Sequence, residues 1–174
     1  HVEQNGAELL QMLTNVNWLS VCKCFVIFAF SNLRLQMYSP KFFTLPELLT
    51  SSTADKKRIN NAPSFAVVEN LNKLCQLVLD PARAELNAPI TVTSGFRCRA
   101  LNVAVGGVSN SQHLTGCATD LQCKDLQRLF DILKRNPNID QLLFERSKNS
   151  TWIHVSISAT DKPRHIINNN YIVK

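Results

Sequence analysis

Histidine is scarce in this chain, with four in 174 residues, one of them the first residue. The six cysteines contain no CxxC pair and no small-scaffold spacing, so a disulfide framework is not indicated. Their irregular placement reads as free thiols in a reducing compartment, with Cys75 on the apolar stripe of a helix as a buried hydrophobe. No arginine-rich run and no interleaving of aromatic with basic residues appears, which argues against a nucleic-acid binder. The one long apolar run, Trp18 to Phe30, is broken by Lys23 and is too short to span a membrane, so stable membrane insertion is not expected. Internal repeats and low-complexity tracts are absent as well.

What is present is a basic chain, +6 by formal charge with a pI near 9.2 and 45% hydrophobic residues. That composition can bury one core. The charge suits anionic polymers, among them nucleic acid, acidic lipid and bacterial cell wall, without choosing between them. Residues 1–36 differ in character from the rest. They are read as an N-terminal extension, either upstream translation or poorly packed chain, with Met37 as the natural start of a domain over 37–174. On that start the protein would be cytoplasmic, and otherwise exported.

Thr44-Leu45-Pro46-Glu47 is a capping box with proline in the first turn, which predicts a short helix. Ser51 to Pro63 reads as a polar, turn-rich stretch. Val67, Val68, Leu71, Leu74, Cys75 and Val78 recur at helical spacing, in a helix that Pro81 should end or kink. A strand is expected at Ile90–Thr93, a loop around Gly106-Gly107, and a strand entry at Ala118–Leu121. A second amphipathic helix is expected at Leu126–Leu133, stopped by Asn136-Pro137-Asn138. Gln141–Glu145 and Thr151–Ser158 read as strands joined by a polar loop. The mixture predicts an α+β fold.

The chemistry lies in His113, Asp120 and His154. Imidazole, carboxylate and imidazole form a ligand set that zinc accepts in catalytic sites, and Gly116 permits a tight turn between the first two. Alternation in the last strand puts Trp152, His154 and Ser156 opposite the core face of Ile153, Val155 and Ile157. Hydrolysis at such a centre needs a general base. Glu145 is the leading candidate, with Asp140 and Asp161 behind it. Arg97, leaving the strand end Ser94-Gly95-Phe96, could hold a carboxylate bidentately. Plainer readings stand beside each of these: a surface histidine by a half-buried tryptophan, an ordinary polar loop, solvated carboxylates, a surface arginine. Cys117, between two of the ligand candidates, could be an accidental fourth.

Three segments taken in order are more specific than any one residue. Ser94-Gly95-Phe96-Arg97, Ser111-Gln112-His113-Leu114-Thr115-Gly116-Cys117-Ala118-Thr119-Asp120 and Trp152-Ile153-His154-Val155-Ser156 resemble the D-Ala-D-Ala carboxypeptidase family of zinc metallopeptidases, in its compact phage and bacterial branch. The likeness runs from about Tyr38 to Ser158. It implies Zn2+ on His113, Asp120 and His154, with Arg97 and Ser111 as the residues for the substrate carboxylate. Trp152, on the His154 face of its strand, is a further candidate substrate contact. The likeness also implies the fold shared with the zinc domain of hedgehog proteins, a small antiparallel sheet with helices packed against it.

The activity implied is hydrolysis of peptide bonds in peptidoglycan stem peptides by metal-activated water, of carboxypeptidase or endopeptidase type, as in a phage endolysin. One departure stands out. Several relatives carry the base acid three residues before the last histidine, where this chain has Thr151. The hedgehog-like arrangement puts a glutamate at the end of the preceding strand, which matches Glu145. Thr151 also keeps open an inactive, zinc-containing module that binds cell wall or a protein. His165 falls beyond the matched region and is read as a surface residue. Oligomeric state is not legible.

Overall fold

A computed structural model describes residues 39–160 and 162–172. The proposed extension over 1–36, Cys22, Cys24 and Asp161 lie outside the described residues.

Helix α1 (Leu45–Leu49) opens with both halves of the expected capping box: Glu47 N–H donates to Thr44 Oγ1, and its carboxylate accepts from Thr44 N–H at 2.7 Å. The polar stretch after it holds one more helical turn than its composition suggests. α2 (Ser52–Lys57) starts at Ser51, whose hydroxyl accepts from Ala54 N–H, and stops where Arg58 turns left-handed. Six residues are too few to show an apolar period, so the caps are its only signature.

The long amphipathic helix is built in three parts: α3 (Phe65–Leu74), a π-helical turn (Cys75–Leu79) and α4 (Asp80–Leu86). Pro81 does not end it, and the Leu77 carbonyl four residues before the proline accepts from the Asn136 side-chain amide at 2.7 Å. The chain widens to i→i+5 bonding just before the proline, with Asp80 N–H donating to Cys75 O, and the helix then continues. Leu71, Leu74, Cys75, Val78 and Leu79 from this face have no solvent exposure. Burial pushes the Cys75 thiol up to about 12, so it stays protonated and serves as a small core side chain. Asp80 caps the first described segment by accepting from the Lys41 and Phe42 amides.

The strands of the described residues are β1 (Thr91–Ser94), β2 (Ala118–Gln122), β3 (Ile139–Arg146), β4 (Thr151–Ile157) and β5 (Ile166–Ile172). They form one sheet in the order β1-β2-β4-β3-β5. Between β1 and β2 lie α5 (Arg99–Ala104), which Cys98 caps, and a 3-10 turn (Gln112–Thr115); α6 (Leu126–Lys134) joins β2 to β3. The α+β class is the one expected. The first four strands pair antiparallel, but β5 runs parallel to β3 at the edge, a strand whose Ile-Ile-Asn-Asn-Asn sequence lacks the alternation that marks strands.

One face of the sheet is covered by the helices. Leu121, Leu142, Ile153 and Val155 meet Leu129, Leu133, Leu71 and Leu74 there, all fully buried. Each such aliphatic side chain contributes about 1.5–3 kcal/mol by leaving water. The opposite face carries the polar residues, and the register fixes which of them are neighbours.

A buried carboxylate ties the chain beyond β4 to this frame. Asp140 is 2% exposed and accepts from Arg164 N–H at 2.8 Å, from the Arg164 guanidinium, and from the Gln112 amide at 3.0 Å. Asp140 is therefore a saturated structural anion and not a free base. Burial by itself would raise the Asp140 carboxyl. The bonds from Arg164 and Gln112 outweigh that and hold it below the ordinary carboxylate range. A depressed folded pKa gives stability that is complete above the unfolded carboxylate value, about 4, and is lost as pH falls through the folded one. Asp140→Asn should cost about 1–3 kcal/mol at pH 7. Its melting temperature should also fall less steeply than the parent's between pH 7 and pH 3, and parallel melting curves would refute this role.

Candidate metal centre

His113 sits in the 3-10 turn, and two glycines determine its place. Gly116 ends that turn with φ +73°, and a Cβ there would lie 2.8 Å from the Val67 carbonyl oxygen. Gly95 lets the strand end pass close under α1, where a Cβ would fall 2.2 Å from the Leu48 carbonyl oxygen. The close approach allows Phe96 N–H to donate to Leu48 O at 2.8 Å. It also leaves the Gly95 carbonyl free to take the His113 Nδ1 proton at 2.7 Å. His113 is 2% exposed.

Asp120 and His154 come from neighbouring strands and face one another directly in the β2–β4 register. Their separation is 2.9 Å, from Asp120 Oδ1 to His154 Nδ1. His113 Nε2 lies 3.3 Å from Asp120 Oδ1 and 3.3 Å from His154 Nδ1. Residues 113, 120 and 154 thus bring three donor atoms into one small triangle, and they are the metal-capable cluster among the described residues.

The donor chemistry fits a zinc ion. With the Nδ1 proton committed to Gly95, neutral His113 turns an Nε2 lone pair toward the Asp120 carboxylate, so two acceptors face each other. A cation satisfies both. Tetrahedral zinc with bonds of about 2.1 Å needs ligand atoms roughly 3.4 Å apart, close to the separations found. Burial lowers the His113 pKa against the pull of Asp120, which keeps the ring neutral as a ligand must be. Burial raises the Asp120 carboxyl, but the two imidazoles overcome it and hold the group well below the usual carboxylate range.

A cleft of about 890 Å3 opens over the cluster. Arg97, Ser111, Glu145 and Trp152 all line it, so the sequence-predicted residues share one space. Glu145 sits opposite Trp152 in the β3–β4 register. Burial lifts its carboxyl above the ordinary glutamate range; Asp120 adds to this, while His154, Trp152 and Arg97 oppose it. The Arg97 guanidinium reaches Asp120 Oδ2 with Nη2 at 3.5 Å, while its buried Nε has no partner among the described residues. Burial lowers the Arg97 pKa and the neighbouring Asp120 and Glu145 partly restore it. An anionic ligand would complete that environment.

Not every candidate gathers here. Cys117 is fully buried in the hydrophobic core and is not a fourth ligand, its thiol pushed up chiefly by burial. His165 is exposed and apart. Sequence reasoning misses Gln112, which bonds both Asp140 and the Ile157 carbonyl and so braces the turn that carries His113. Its position beside a ligand is the only hint.

Gly95→Ala should weaken zinc binding by about 10–100-fold, the usual cost of losing a ligand's supporting partner. Chelator competition on the folded variant would measure it, and unchanged affinity would mean that the Gly95 carbonyl does not orient His113.

The family model described as Peptidase M15 matches residues 41–156. No curated protein matches the chain. The matched span runs from before α1 to Ser156 in β4, with all three members of the triangle, Arg97 and Glu145 inside it. This chain belongs to the M15 peptidase family, the zinc D-Ala-D-Ala carboxypeptidase-like metallopeptidases.

Proposed function

We propose that the chain hydrolyses peptide bonds in peptidoglycan stem peptides, as a D-Ala-D-Ala carboxypeptidase or an endopeptidase. The observation that carries this is the convergence of His113 Nε2, Asp120 Oδ1 and His154 Nδ1 beneath a cleft that also presents Glu145 and Arg97. Those three residues would hold the zinc ion. When bound, zinc supplies Lewis acidity toward a peptide carbonyl and makes water a stronger acid.

The remaining work falls to side chains of the chain. Glu145 takes the proton from the attacking water and returns it to the leaving amine. A carboxylate with raised proton affinity is better matched to that exchange than an ordinary surface glutamate. Arg97, with limited exposure and an Nε that has no partner among the described residues, holds the carboxylate of the substrate, and Ser111 contributes a hydroxyl from the adjoining loop. Trp152 sits opposite Glu145, hydrogen-bonds its carboxylate and lines the same cleft, where it is a further contact for the substrate.

A second reading is an inactive zinc-containing module that binds cell wall or a protein partner. Its support is Thr151, which stands where several relatives carry the base acid. The two readings part at Glu145. Glu145→Gln should lower kcat about 10²–10⁴-fold while bound zinc stays near one per chain. In the parent, kcat/KM should be full above the raised Glu145 pKa and fall as pH drops through it, with a midpoint above the ordinary glutamate range. A variant with full activity would exclude Glu145 as the base. Zinc-loaded protein that cleaves no peptidoglycan would favour the binding module.

A further inference from the structure

The cleft continues well past the metal cluster, onto strands that the family match does not fully include. The register draws a row across all five strands: Ser94 opposite Asp120, Asp120 opposite His154, His154 opposite Leu143, and Leu143 opposite Asn168. A second row sets Ser156 opposite Gln141 and Gln141 opposite Ile166. Leu143, Gln141, Ile166 and Asn168 all line the cleft. Arg97 stands at the β1 end of this floor, and Asn168 at the β5 end.

The β5 end has the character of a peptide-binding surface. Gln141 is half-buried and its side-chain amide has no partner among the described residues. Asn168 uses its Oδ1 to accept from Asn170 N–H at 2.9 Å, leaving its Nδ2 donors free to face a ligand. Leu143 is half-buried between these amides, and Ile166 is 42% exposed beside them. Donors flanking an apolar strip suit the carbonyl oxygens and aliphatic parts of an extended chain. The wall is also fixed in place, because Arg164 at its start is locked to buried Asp140. Ile166 and Asn168 lie beyond residue 156, where the family match ends.

We propose that Gln141, Leu143, Ile166 and Asn168 bind the acyl-side segment of an extended peptide substrate. Two strand spacings separate β4 from β5, about 10 Å, and an extended peptide covers about 3.3 Å per residue. The subsite therefore reaches the third residue on the acyl side of the scissile bond. The assignment of side rests on the proposed function, in which Arg97 takes the carboxylate at the other end. A substrate with fewer acyl-side residues leaves Asn168 unused, so the enzyme discriminates by peptide length.

The test titrates the zinc-loaded full chain with acetyl-D-Ala, acetyl-Ala-D-Ala and acetyl-Ala-Ala-D-Ala, reading Kd by NMR. The third residue should tighten binding about fivefold, the worth of one added hydrogen bond near 1 kcal/mol. In Asn168→Ala that gain should shrink toward one, and in Gln141→Ala, one strand nearer the metal cluster, the gain from the second residue should shrink instead; both sites are at least partly exposed, so the fold is not at stake. Equal Kd values across the series in the parent, or a third-residue gain that survives Asn168→Ala, or a second-residue gain that survives Gln141→Ala, would overturn the subsite. The same peptides extended by a C-terminal D-Ala report cleavage separately. No cleavage with the length-dependent binding intact would sink the peptidase reading and leave the subsite standing.

Discussion

Three electron-rich groups are held within about one hydrogen-bond length of each other, and most of the architecture exists to hold them there. Asp120 and His154 meet because β2 and β4 pair in one register and no other. A slip of β2 by one residue against β4 would turn Asp120 into the core and Leu121 into the cleft while His154 kept its face, and the cluster would be lost. The hydrophobic contacts of Leu121, Ile153 and Val155 with the helices therefore do more than stabilise the sheet. They fix the register on which the cluster depends.

His113 is placed by different means. It belongs to no strand, and its turn is held by Gly95 O on its Nδ1, by Arg97 N–H on its carbonyl, by Gln112 on the Asp140 anchor and Ile157 O, and by Asn70 on the Thr115 carbonyl. The two glycines permit the close backbone approaches that this needs. A loop histidine would otherwise spend conformational entropy on each binding event, whereas here the ordering is complete within the fold.

Much of the site was legible in the sequence, and the reasons differ by residue. Alternation in Trp152–Ile157 assigns His154 to the non-core face, because a strand has a period of two. The capping box at Thr44 is a purely local signal and forms as read. The Pro81 helix shows the limit of local rules: proline removes one donor, the chain widens into a π turn before it and distant Asn136 bonds the Leu77 carbonyl, while the buried face of Cys75, Val78 and Leu79 rewards keeping the helix intact. β5 and α2 escape detection for want of any period, β5 being defined by its partner β3 and not by its own residues.

The sequence by itself determined the identities: which side chains can ligate a metal, which can move a proton, and which faces of each element are apolar. Those follow from chemistry and period, and both are local. Tertiary structure alone decided that Asp140 is a saturated anchor while Glu145 opens onto the cleft, although the two carboxylates lie on the same strand. It alone decided that Cys117 enters the core and that Asn168 joins the row behind His154. The physical reason is that burial, hydrogen-bond partners and proton affinity are properties of what a residue packs against, and those neighbours come from distant parts of the chain.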